Sequence, residues 1–354
     1  TAESVLAKGF ELRPGQTAHS GRLMLNIAPT PCAALEAYAS LMGRLHEART
    51  SSILNGWCNW FFTYEHCTEE EILRNAECAA RTLKPLGLEY IQVDEGYQRW
   101  HGDWEGNDRF PHGMKWLADR IRALGLRPGI WIAPYVISEP AEVFQQHPDW
   151  LIRHPDGRLK RVGPWPSEDS DWAKNEHPKR YALDITHPDA ARWLASLAET
   201  VGRHWGYEMI KIDFVDWSLL SAHHYHDPTV SRAAAYRKGF EILRRSVGPD
   251  CHLQDCGPAP VTVGLADSMR IELDQNYGYR PRAWQQYLGE STSSASAAAK
   301  RYYFHGRTWI NDADHVCLGL LSLPQAQAAA TLIALTGGNV ISGDRLPDLD
   351  VSRL

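Results

Sequence analysis

The stretch Lys211-Ile212-Asp213-Phe214-Val215-Asp216-Trp217 places a carboxylate at the end of an apolar run that is typical of a buried parallel strand. In barrels of alternating strands and helices, the catalytic side chains stand at the carboxyl ends of the strands. A Lys and an Asp that end a hydrophobic strand are therefore difficult to explain by packing alone. The alternative is a buried Lys–Asp structural pair, since structural ion networks also perturb carboxylates.

The same pattern recurs along the chain. Eight short apolar segments, often β-branched or aromatic, end in polar or charged residues or in a Gly turn, and helical patterns separate them. This alternation predicts a parallel sheet, and eight strands predict a closed (β/α)₈ TIM barrel. Residues 261–267 are too short for a full helix, so we expect an irregular crossover there. The predicted strands are 53–60, 88–95, 127–135, 209–217, 252–257, 269–274, 308–314 and 339–344, and the helices are 68–83, 113–124, 188–205, 231–247, 283–304 and 323–336.

The length of 354 residues exceeds that of a typical barrel, which is about 250. Residues 1–47 carry alternating apolar residues around Leu23 and Leu25 and then a helical pattern over 31–45. We interpret 1–47 as a short N-terminal extension or the remnant of a preceding β-sandwich, and 48–354 as the catalytic barrel. Residues 150–181 form a long loop rich in Pro, Trp and charge, and such loops usually cover an active site.

The composition and charge of the chain argue against several classes of partner. The net charge of −6 is mixed in sign along the chain, which argues against a nucleic-acid partner. No run reaches the roughly 18 apolar residues of a membrane span, and no signal-peptide pattern follows Thr1. No Gly-rich phosphate loop follows a strand, so we expect no nucleotide or other cofactor. A cytoplasmic location is favoured, and homo-oligomer formation stays open.

Metal binding is not predicted. Seven Cys residues lack paired CxxC spacing, so neither a zinc site nor a disulfide framework follows from them. The cluster His223-His224-Tyr225-His226 lies on the expected active-site rim, but no acidic ligand accompanies it. We interpret it as a substrate-contacting or solvated loop.

The predicted strand ends combine carboxylates with aromatic side chains. Carboxylates accept paired hydrogen bonds from vicinal hydroxyls, and indole rings stack on the apolar face of a pyranose, so the mouth suits a sugar. At least half of the 14 Trp residues are expected to serve packing alone. The charged set is Asp94, Glu95, Lys211, Asp213, Asp216, Asp255, Arg270, Asp274, Asp312 and Asp314; the aromatic set is Trp57, Trp60, Tyr97, Trp100, Trp104, Trp131 and Trp217.

A series of motifs along these strand ends carries a family resemblance. It comprises Asp94-Glu95-Gly96-Tyr97, Gly102-Asp103-Trp104, Phe110-Pro111-His112-Gly113, Gly125-Leu126-Arg127-Pro128-Gly129-Ile130-Trp131, His147-Pro148-Asp149-Trp150, Leu183-Asp184-Ile185-Thr186-His187-Pro188, Lys211-Ile212-Asp213, Met269-Arg270-Ile271 leading to Asp274, and Asn311-Asp312-Ala313-Asp314. In this order, over about residues 53–344, the chain resembles glycoside hydrolase family 36, the melibiase-like α-galactosidases of clan D.

The resemblance implies roles for individual residues. Asp213 matches the family's nucleophile and Asp274 its general acid/base. Lys211 would share a strand face with Asp213 and bind sugar hydroxyls, and Arg270 would reach the 2-hydroxyl.

Further substrate contacts complete the expected site. Trp57 matches the platform aromatic of the first strand, Asp94 the first acid that reads the axial 4-hydroxyl and the 6-hydroxyl, and Cys256 a fifth-strand Cys beside the glycone. We also assign substrate contacts to Glu95, Trp131, Asp255 and Asp312.

Three departures from the family surround the glycone pocket. Asp94-Glu95 replaces two consecutive Asp, Trp131-Ile132-Ala133-Pro134-Tyr135 lacks the usual carboxylates, and Cys256-Gly257-Pro258-Ala259-Pro260 replaces glycines. They favour a shifted substrate over lost activity. Alternatively, Glu95 turns away to pair with Arg99 or Arg127. The large flanking β domains usual in the family have no counterpart, which fits a compact member or a barrel excised from a longer polypeptide.

The sequence therefore predicts a retaining α-glycosidase that hydrolyses α-D-galactosides or close analogues through a covalent glycosyl-enzyme. Asp213 should be ionised with help from Lys211, and Asp274 should have a raised pKa. The galactoside or oligosaccharide substrate is the expected partner. One alternative is a raffinose-synthase-like transglycosidase, and another is a barrel that binds sugar without turnover.

Overall fold

The computed structural model describes residues 13–17, 23–50, 53–162, 178–215, 225–257, 260–271, 274, 294–319 and 321–353. Eight strands pair in parallel and close into a barrel, each following its predecessor around the ring. All eight lie inside the predicted segments or within one or two residues of them, so the predicted barrel is confirmed. The ring consists of β1 (Asn55–Cys58), β2 (Tyr90–Val93), β5 (Arg127–Ile132), β8 (Met209–Ile212), β9 (His252–Asp255), β10 (Ser268–Arg270), β11 (Ile310–Val316) and β12 (Asn339–Ser342).

Helices cover the outside of the barrel where the apolar periodicity predicts them. The helix at 323–336 has the predicted bounds, and three others differ from prediction by one or two residues. The 188–205 pattern continues beyond its α-helix as a π-helical turn, Thr200–His204. The described helices are α1 (Pro31–Leu45), α2 (Trp60–Thr63), α3 (Glu69–Thr82), α4 (Gly113–Ala123), α5 (Glu142–Gln146), α6 (Pro188–Glu199), α7 (Arg232–Val247), α8 (Ser294–Lys300) and α9 (Leu323–Thr336).

Two crossovers deviate from a regular helix. Between β9 and β10 a single 3₁₀ turn, Pro260–Thr262, confirms the expected irregular connection. The helix predicted over 283–304 is described only from 294 onward, as α8 and a 3₁₀ turn, Tyr302–Phe304. Its first part lies outside the described residues.

Two small antiparallel sheets extend the loops at the carboxyl ends of the strands. After β2, β3 (Gln98–Trp100) pairs with β4 (Asp103–Gly106). After β5, β6 (Val136–Ser138) pairs with β7 (Arg180–Ala182). Most of the long loop predicted at 150–181 lies between these two strands in the sequence. Of that loop, residues 163–177 lie outside the described part of the chain. Both sheets stand on neighbouring strands, so they bring their side chains to the same side of the mouth.

In its described part, the segment before the barrel forms the predicted helix and contains no strand. Thr30 caps α1 by accepting from the N–H of Ala33, and Pro31 occupies its first turn. Residues 23–29 are not in a strand, and Leu25 is 88% exposed, so the apolar alternation there has no sheet to join. The division into 1–47 and 48–354 stays a prediction.

The α1 helix packs directly on the barrel. Glu36 pairs with Arg307 at 3.1 Å. Gly43 is buried where a Cβ would overlap the carbonyl oxygen of Arg307. Close approach of two backbones therefore explains a glycine in the middle of a helix.

Within the part of the chain that the structure describes, no helix combines the length and apolar character that crossing a bilayer requires.

Replacing Gly43 tests this close approach. Gly43→Ala should lower the free energy of unfolding by about 1–3 kcal/mol, because overpacking outweighs the gain in helix propensity. Urea unfolding measures the change, with exposed Arg44→Ala on the same helix as the control. A stabilised Gly43→Ala would show that α1 does not pack closely on residue 307.

Candidate active site

A buried ion pair lies at the centre of the strand ends. Lys211 Nζ lies 2.9 Å from Asp94 Oδ2, and both side chains are almost completely buried. Burial favours the neutral amine, but the charge of Asp94 outweighs it and raises the pKa of Lys211 well above its usual value. The Lys211 side chain therefore bonds to the acid of β2, rather than forming the Lys–Asp pair within its own strand that the sequence left open.

Asp94 is held by donors from three strands. Its Oδ2 also accepts from Gln92 Nε2 at 2.6 Å and from the Cys58 thiol at 3.3 Å. Its Oδ1 accepts from the N–H of Glu95 at 3.0 Å, and its own N–H donates to Asn59. These contacts fix the orientation of the carboxylate, as its predicted binding role requires.

Asp213 follows β8 directly and receives one donor on each oxygen. Trp131 Nε1 donates to Oδ2 at 2.9 Å, and the N–H of Phe214 donates to Oδ1 at 2.8 Å. Burial raises the pKa of Asp213, and the charge of Lys211 and the Trp131 hydrogen bond offset this only in part. The carboxylate is held in one orientation, but its pKa lies above the usual value.

Arg270 lies among three carboxylates on the opposite wall. Its Nη2 is 3.2 Å from Asp274 Oδ1, its Nη1 is 3.1 Å from Asp314 Oδ1, and its Nε is 3.8 Å from Asp312 Oδ1. Arg270 is buried, whereas the Asp274 side chain is 48% exposed. The guanidinium thus contacts a carboxylate that is more exposed to solvent than itself.

The pKa of Asp274 is shifted in the direction opposite to the expected one. Desolvation opposes its ionisation, but the charges of Arg270 and Lys211, with hydrogen bonds from Arg270 and Trp60, outweigh it and lower its pKa. The expected raised pKa of Asp274 is therefore wrong in direction. Lys211 does favour ionisation of Asp213, as expected, but burial outweighs its effect on the pKa. The reason is that Arg270 contacts Asp274 directly, while the Lys211 ammonium contacts Asp94 rather than Asp213.

Asp255 does not reach the mouth. Strand residues alternate in direction, and Gln254 points into the barrel, so Asp255 points outward toward α7. There its Oδ1 accepts from the Tyr236 hydroxyl and its Oδ2 from Thr262. Its assignment as a substrate contact is corrected to a link between the barrel wall and its outer layer.

Asp312 points inward but lies in the barrel interior. Its Oδ2 accepts from Gln254 at 2.7 Å and from Asn339 at 2.9 Å, and its Oδ1 accepts from the N–H of Asp314. The side chain is buried, and protein donors reach both oxygens. The carboxylate links β9, β11 and β12, and its predicted substrate contact stays a prediction.

The two predicted aromatic contacts are buried as well. Trp57 donates from Nε1 to the carbonyl of Asp344 at 2.7 Å, and no face of its ring is open to solvent. Trp131 is similarly buried and supports Asp213. Stacking of either ring on a sugar stays a prediction.

Glu95 pairs with neither arginine considered for it. Arg99 bonds to Glu105 and Arg127 to Glu208, both at the surface. Glu95 Oε1 instead lies 3.1 Å from Nε2 of His101.

Cys256 lies near several charged groups, and its contact with the glycone stays a prediction. Its thiol is subject to the charges of Asp213, Lys211 and Arg270, and burial raises its pKa well above the usual value. All seven cysteines lie in the described residues, and none is in a disulfide. Among the described residues, no group of His, Cys, Asp and Glu has the arrangement of a metal site, and His223 and His224 fall outside them.

The sequence reasoning missed several polar residues that complete the site. Gln92 interrupts an apolar strand two residues before Asp94, so period-two alternation already placed both on one face. Asn59, Cys58 and His101 carried no comparable signal, because only the closed barrel and the β3–β4 sheet bring them to Asp94 and Glu95.

The fold and these strand ends define the chain as a (β/α)₈ barrel protein with an acid-rich, tryptophan-supported mouth. The Melibiase family model matches residues 38–219, just over half of the chain, and the chain belongs to that family. The resemblance to family 36 α-galactosidases is confirmed at this level.

Individual relatives agree. Over 124 residues the chain is 35% identical to α-galactosidase AgaA of Geobacillus stearothermophilus, covering 31% of this chain and 16% of AgaA. It is 25% identical to α-galactosidase Mel36A of Lactobacillus acidophilus, covering 64% and 29%. The α-galactosidase TtGalA of Thermus thermophilus, solved with p-nitrophenyl α-D-galactopyranoside, superposes with a TM-score of 0.75 at 30% identity, covering 91% and 64%. The chain thus spans less than two thirds of each relative.

Breaking the central ion pair should destabilise the barrel. Lys211→Met leaves the Asp94 charge buried and unpaired, which costs about 3–5 kcal/mol of unfolding free energy. The double variant Lys211→Met/Asp94→Asn should recover part of this loss, because the unpaired charge is removed.

Chemical denaturation of the parent protein, Lys211→Met, Asp94→Asn and the double variant gives the coupling energy. Lys115→Met, in the exposed pair with Asp119, is the control and should change stability little. Additive effects of the two central substitutions would contradict a direct interaction.

Proposed function

We propose that this chain carries the catalytic barrel of a retaining α-glycosidase that hydrolyses α-D-galactosides or close analogues. Asp213 is the nucleophile and Asp274 the general acid/base. The observation that carries the proposal is the contrast between two carboxylates at the same barrel mouth. Asp213 is partly buried with a donor on each oxygen, and Asp274 is half exposed beside Arg270.

The geometry around Asp213 suits nucleophilic attack. Each oxygen accepts one hydrogen bond, from Trp131 or from the backbone of Phe214, so the carboxylate cannot rotate freely. A fixed orientation lowers the entropic cost of reaching the anomeric carbon. In the retaining scheme the two carboxyls stand about 5–5.5 Å apart, and the covalent glycosyl-enzyme forms on the nucleophile.

Substrate binding shifts the pKa of Asp274 in the direction that a general acid requires. When Arg270 donates to a sugar hydroxyl, its hydrogen bond to Asp274 weakens, and the bound sugar removes water from that carboxyl. Both changes raise the pKa of Asp274, so it can hold the proton for the leaving oxygen. Asp274 then acts as base toward the incoming water.

The charged groups on the other wall bind the glycone. Asp94 has fixed oxygens and Lys211 a fixed ammonium, which together can accept from and donate to adjacent hydroxyls. Identity with α-galactosidases, including a neighbour solved with a galactoside, supports galactose configuration. An assay with added sugar acceptors separates hydrolysis from galactosyl transfer.

Removing the nucleophile should give a rescuable enzyme. Asp213→Gly should abolish nearly all turnover, and azide should restore part of it on activated aryl α-galactosides. The product should be the β-galactosyl azide, because azide enters from the vacated side. NMR of the product gives its configuration. Azide rescue of Asp216→Gly and not of Asp213→Gly would reassign the nucleophile.

Removing the acid should affect substrates according to their leaving groups. Asp274→Ala should slow natural galactosides far more than nitrophenyl galactosides, whose leaving groups need little protonation. The alkaline limb of kcat against pH should disappear, because kcat reports the substrate complex, in which the group that must stay protonated is then missing. Equal losses on both substrate classes would mean that Asp274 only positions the sugar.

A further inference from the structure

Phe214, the residue after the proposed nucleophile, has a strained backbone. Its φ angle of 54° lies in the left-handed region, where the side chain of a bulky residue is crowded by the backbone. Such a conformation costs free energy and persists only when surrounding contacts hold it. Strain of this kind is concentrated at active sites, and here it lies directly beside Asp213.

The strained conformation determines the direction of one hydrogen-bond donor. The peptide unit between Asp213 and Phe214 is planar and rotates as a whole, so ψ of Asp213 and φ of Phe214 change together when the chain on either side stays in place. The N–H of this unit donates to Asp213 Oδ1 at 2.8 Å. A change of φ to the usual negative values would turn the unit over and take the N–H away from the carboxylate.

The Phe214 ring contacts three side chains. The guanidinium carbon of Arg180 lies 5.6 Å from the ring centroid, in the range of a cation–π contact. Trp131 meets the ring edge to face at a centroid distance of 5.8 Å, and His101 lies at 6.3 Å. Trp131 also donates from Nε1 to the second oxygen of Asp213. The ring is therefore packed against the same indole that supports the nucleophile.

Arg180 reaches Phe214 from the connection between β5 and β8. It lies in β7 opposite Ser138 of β6, and its carbonyl accepts from the N–H of Val162 at 2.9 Å. Desolvation lowers the pKa of Arg180, and the charge of Glu95 opposes this, so the guanidinium is held charged beside the aromatic ring. The small β6–β7 sheet thus fixes the cation on which the ring rests.

We propose that Phe214 and Arg180 are positioning residues: Arg180 holds the Phe214 ring, and the ring keeps the strained peptide unit turned so that its N–H bonds to Asp213. This inference rests on the proposed function, in which Asp213 is the nucleophile. The hydrogen bond has two effects. It fixes one carboxylate oxygen, which lowers the entropic cost of attack. Burial raises the pKa of Asp213, and this bond is one of the contacts that oppose the rise.

Two substitutions of Phe214 separate the backbone from the ring. Phe214→Ala and Phe214→Gly both remove the ring, but only glycine adopts the left-handed region without a steric penalty. Phe214→Ala should therefore lower kcat/KM on p-nitrophenyl α-D-galactopyranoside by about 10- to 100-fold, the effect of a misplaced reacting group, and Phe214→Gly by less. Equal losses, or a larger loss with glycine, would contradict a role of the backbone conformation.

The pH profile gives a second readout. Loss of the N–H donor raises the pKa of Asp213, and Asp213 must be ionised to attack. The acid limb of kcat/KM should therefore move to higher pH in Phe214→Ala, because kcat/KM reports the free enzyme, and should stay near its parental position in Phe214→Gly.

A double variant identifies the route by which Arg180 acts. Arg180→Met should lower kcat/KM and move the acid limb in the same direction as Phe214→Ala. It should add little to Phe214→Gly, in which no ring is left to hold, whereas an effect of charge alone would be the same in both backgrounds. Lys179→Met is the control, because Lys179 is the adjacent cation but is 54% exposed and pairs with Glu139. It should leave both readouts unchanged.

Azide rescue distinguishes positioning of the nucleophile from general damage to the site. In Asp213→Gly, azide replaces the carboxylate and needs no donor from residue 214, so Arg180→Met should change the azide-dependent rate little. An equal loss in the azide reaction and in the parent reaction would overturn the inference while leaving the proposed function intact.

Failure of the proposed function has a different signature, which is absence of turnover in the parent protein or of azide rescue in Asp213→Gly. The contact between Phe214 and Asp213 is then still measured by NMR titration of ¹³C-labelled aspartate, with the Asp213 signal identified by its loss in Asp213→Asn. The pKa of Asp213 should be higher in Phe214→Ala and Arg180→Met than in the parent and in Lys179→Met. The same pKa in all four proteins would contradict the inference.

Discussion

The buried Lys211–Asp94 pair is the interaction on which the site depends. The two residues belong to β8 and β2, with β5 between them, so the pair spans the barrel interior. A buried ammonium is tolerated only when paired and hydrogen-bonded, and the same holds for the carboxylate. Gln92, Cys58 and the backbone of Glu95 supply the remaining contacts of Asp94. The pair thereby fixes where β2 presents Glu95 and where β8 presents Asp213.

Lys211 and Arg270 contact different carboxylates at the mouth of the barrel. Lys211 contacts Asp94 and lies near Asp213, whereas Arg270 contacts Asp274 and Asp314 and approaches Asp312. The proximity of each cation, rather than burial alone, decides which carboxylate is more acidic. Asp274 has the direct cationic contact and a lowered pKa; Asp213 lacks one and has a raised pKa.

Alternation along the strands separates binding groups from structural ones. Gln254 and Asp255 are adjacent, yet one points into the barrel and the other toward α7. Asp312 points inward, where Asn339 and Gln254 bind it. Acidic residues near strand ends are therefore difficult to distinguish in a sequence. Their role depends on whether the side chain points into the barrel or out of it. Asp314, which lies where the register of β11 shifts, contacts Arg270.

The sequence by itself determined the eight strands, most helix bounds and the positions of Asp94, Lys211, Asp213, Arg270 and Asp274 at the mouth. These follow from local periodicity and from the rule that parallel strands end on one side. Only the tertiary structure decided that Lys211 bonds to Asp94, that Asp274 is the more acidic carboxyl and that Glu95 lies against His101. Such choices depend on distances between side chains of different strands, with β2 and β8 117 residues apart at the central pair. Sequence spacing does not determine those distances, because they depend on the closure of the barrel and on the two small sheets at the carboxyl ends of its strands.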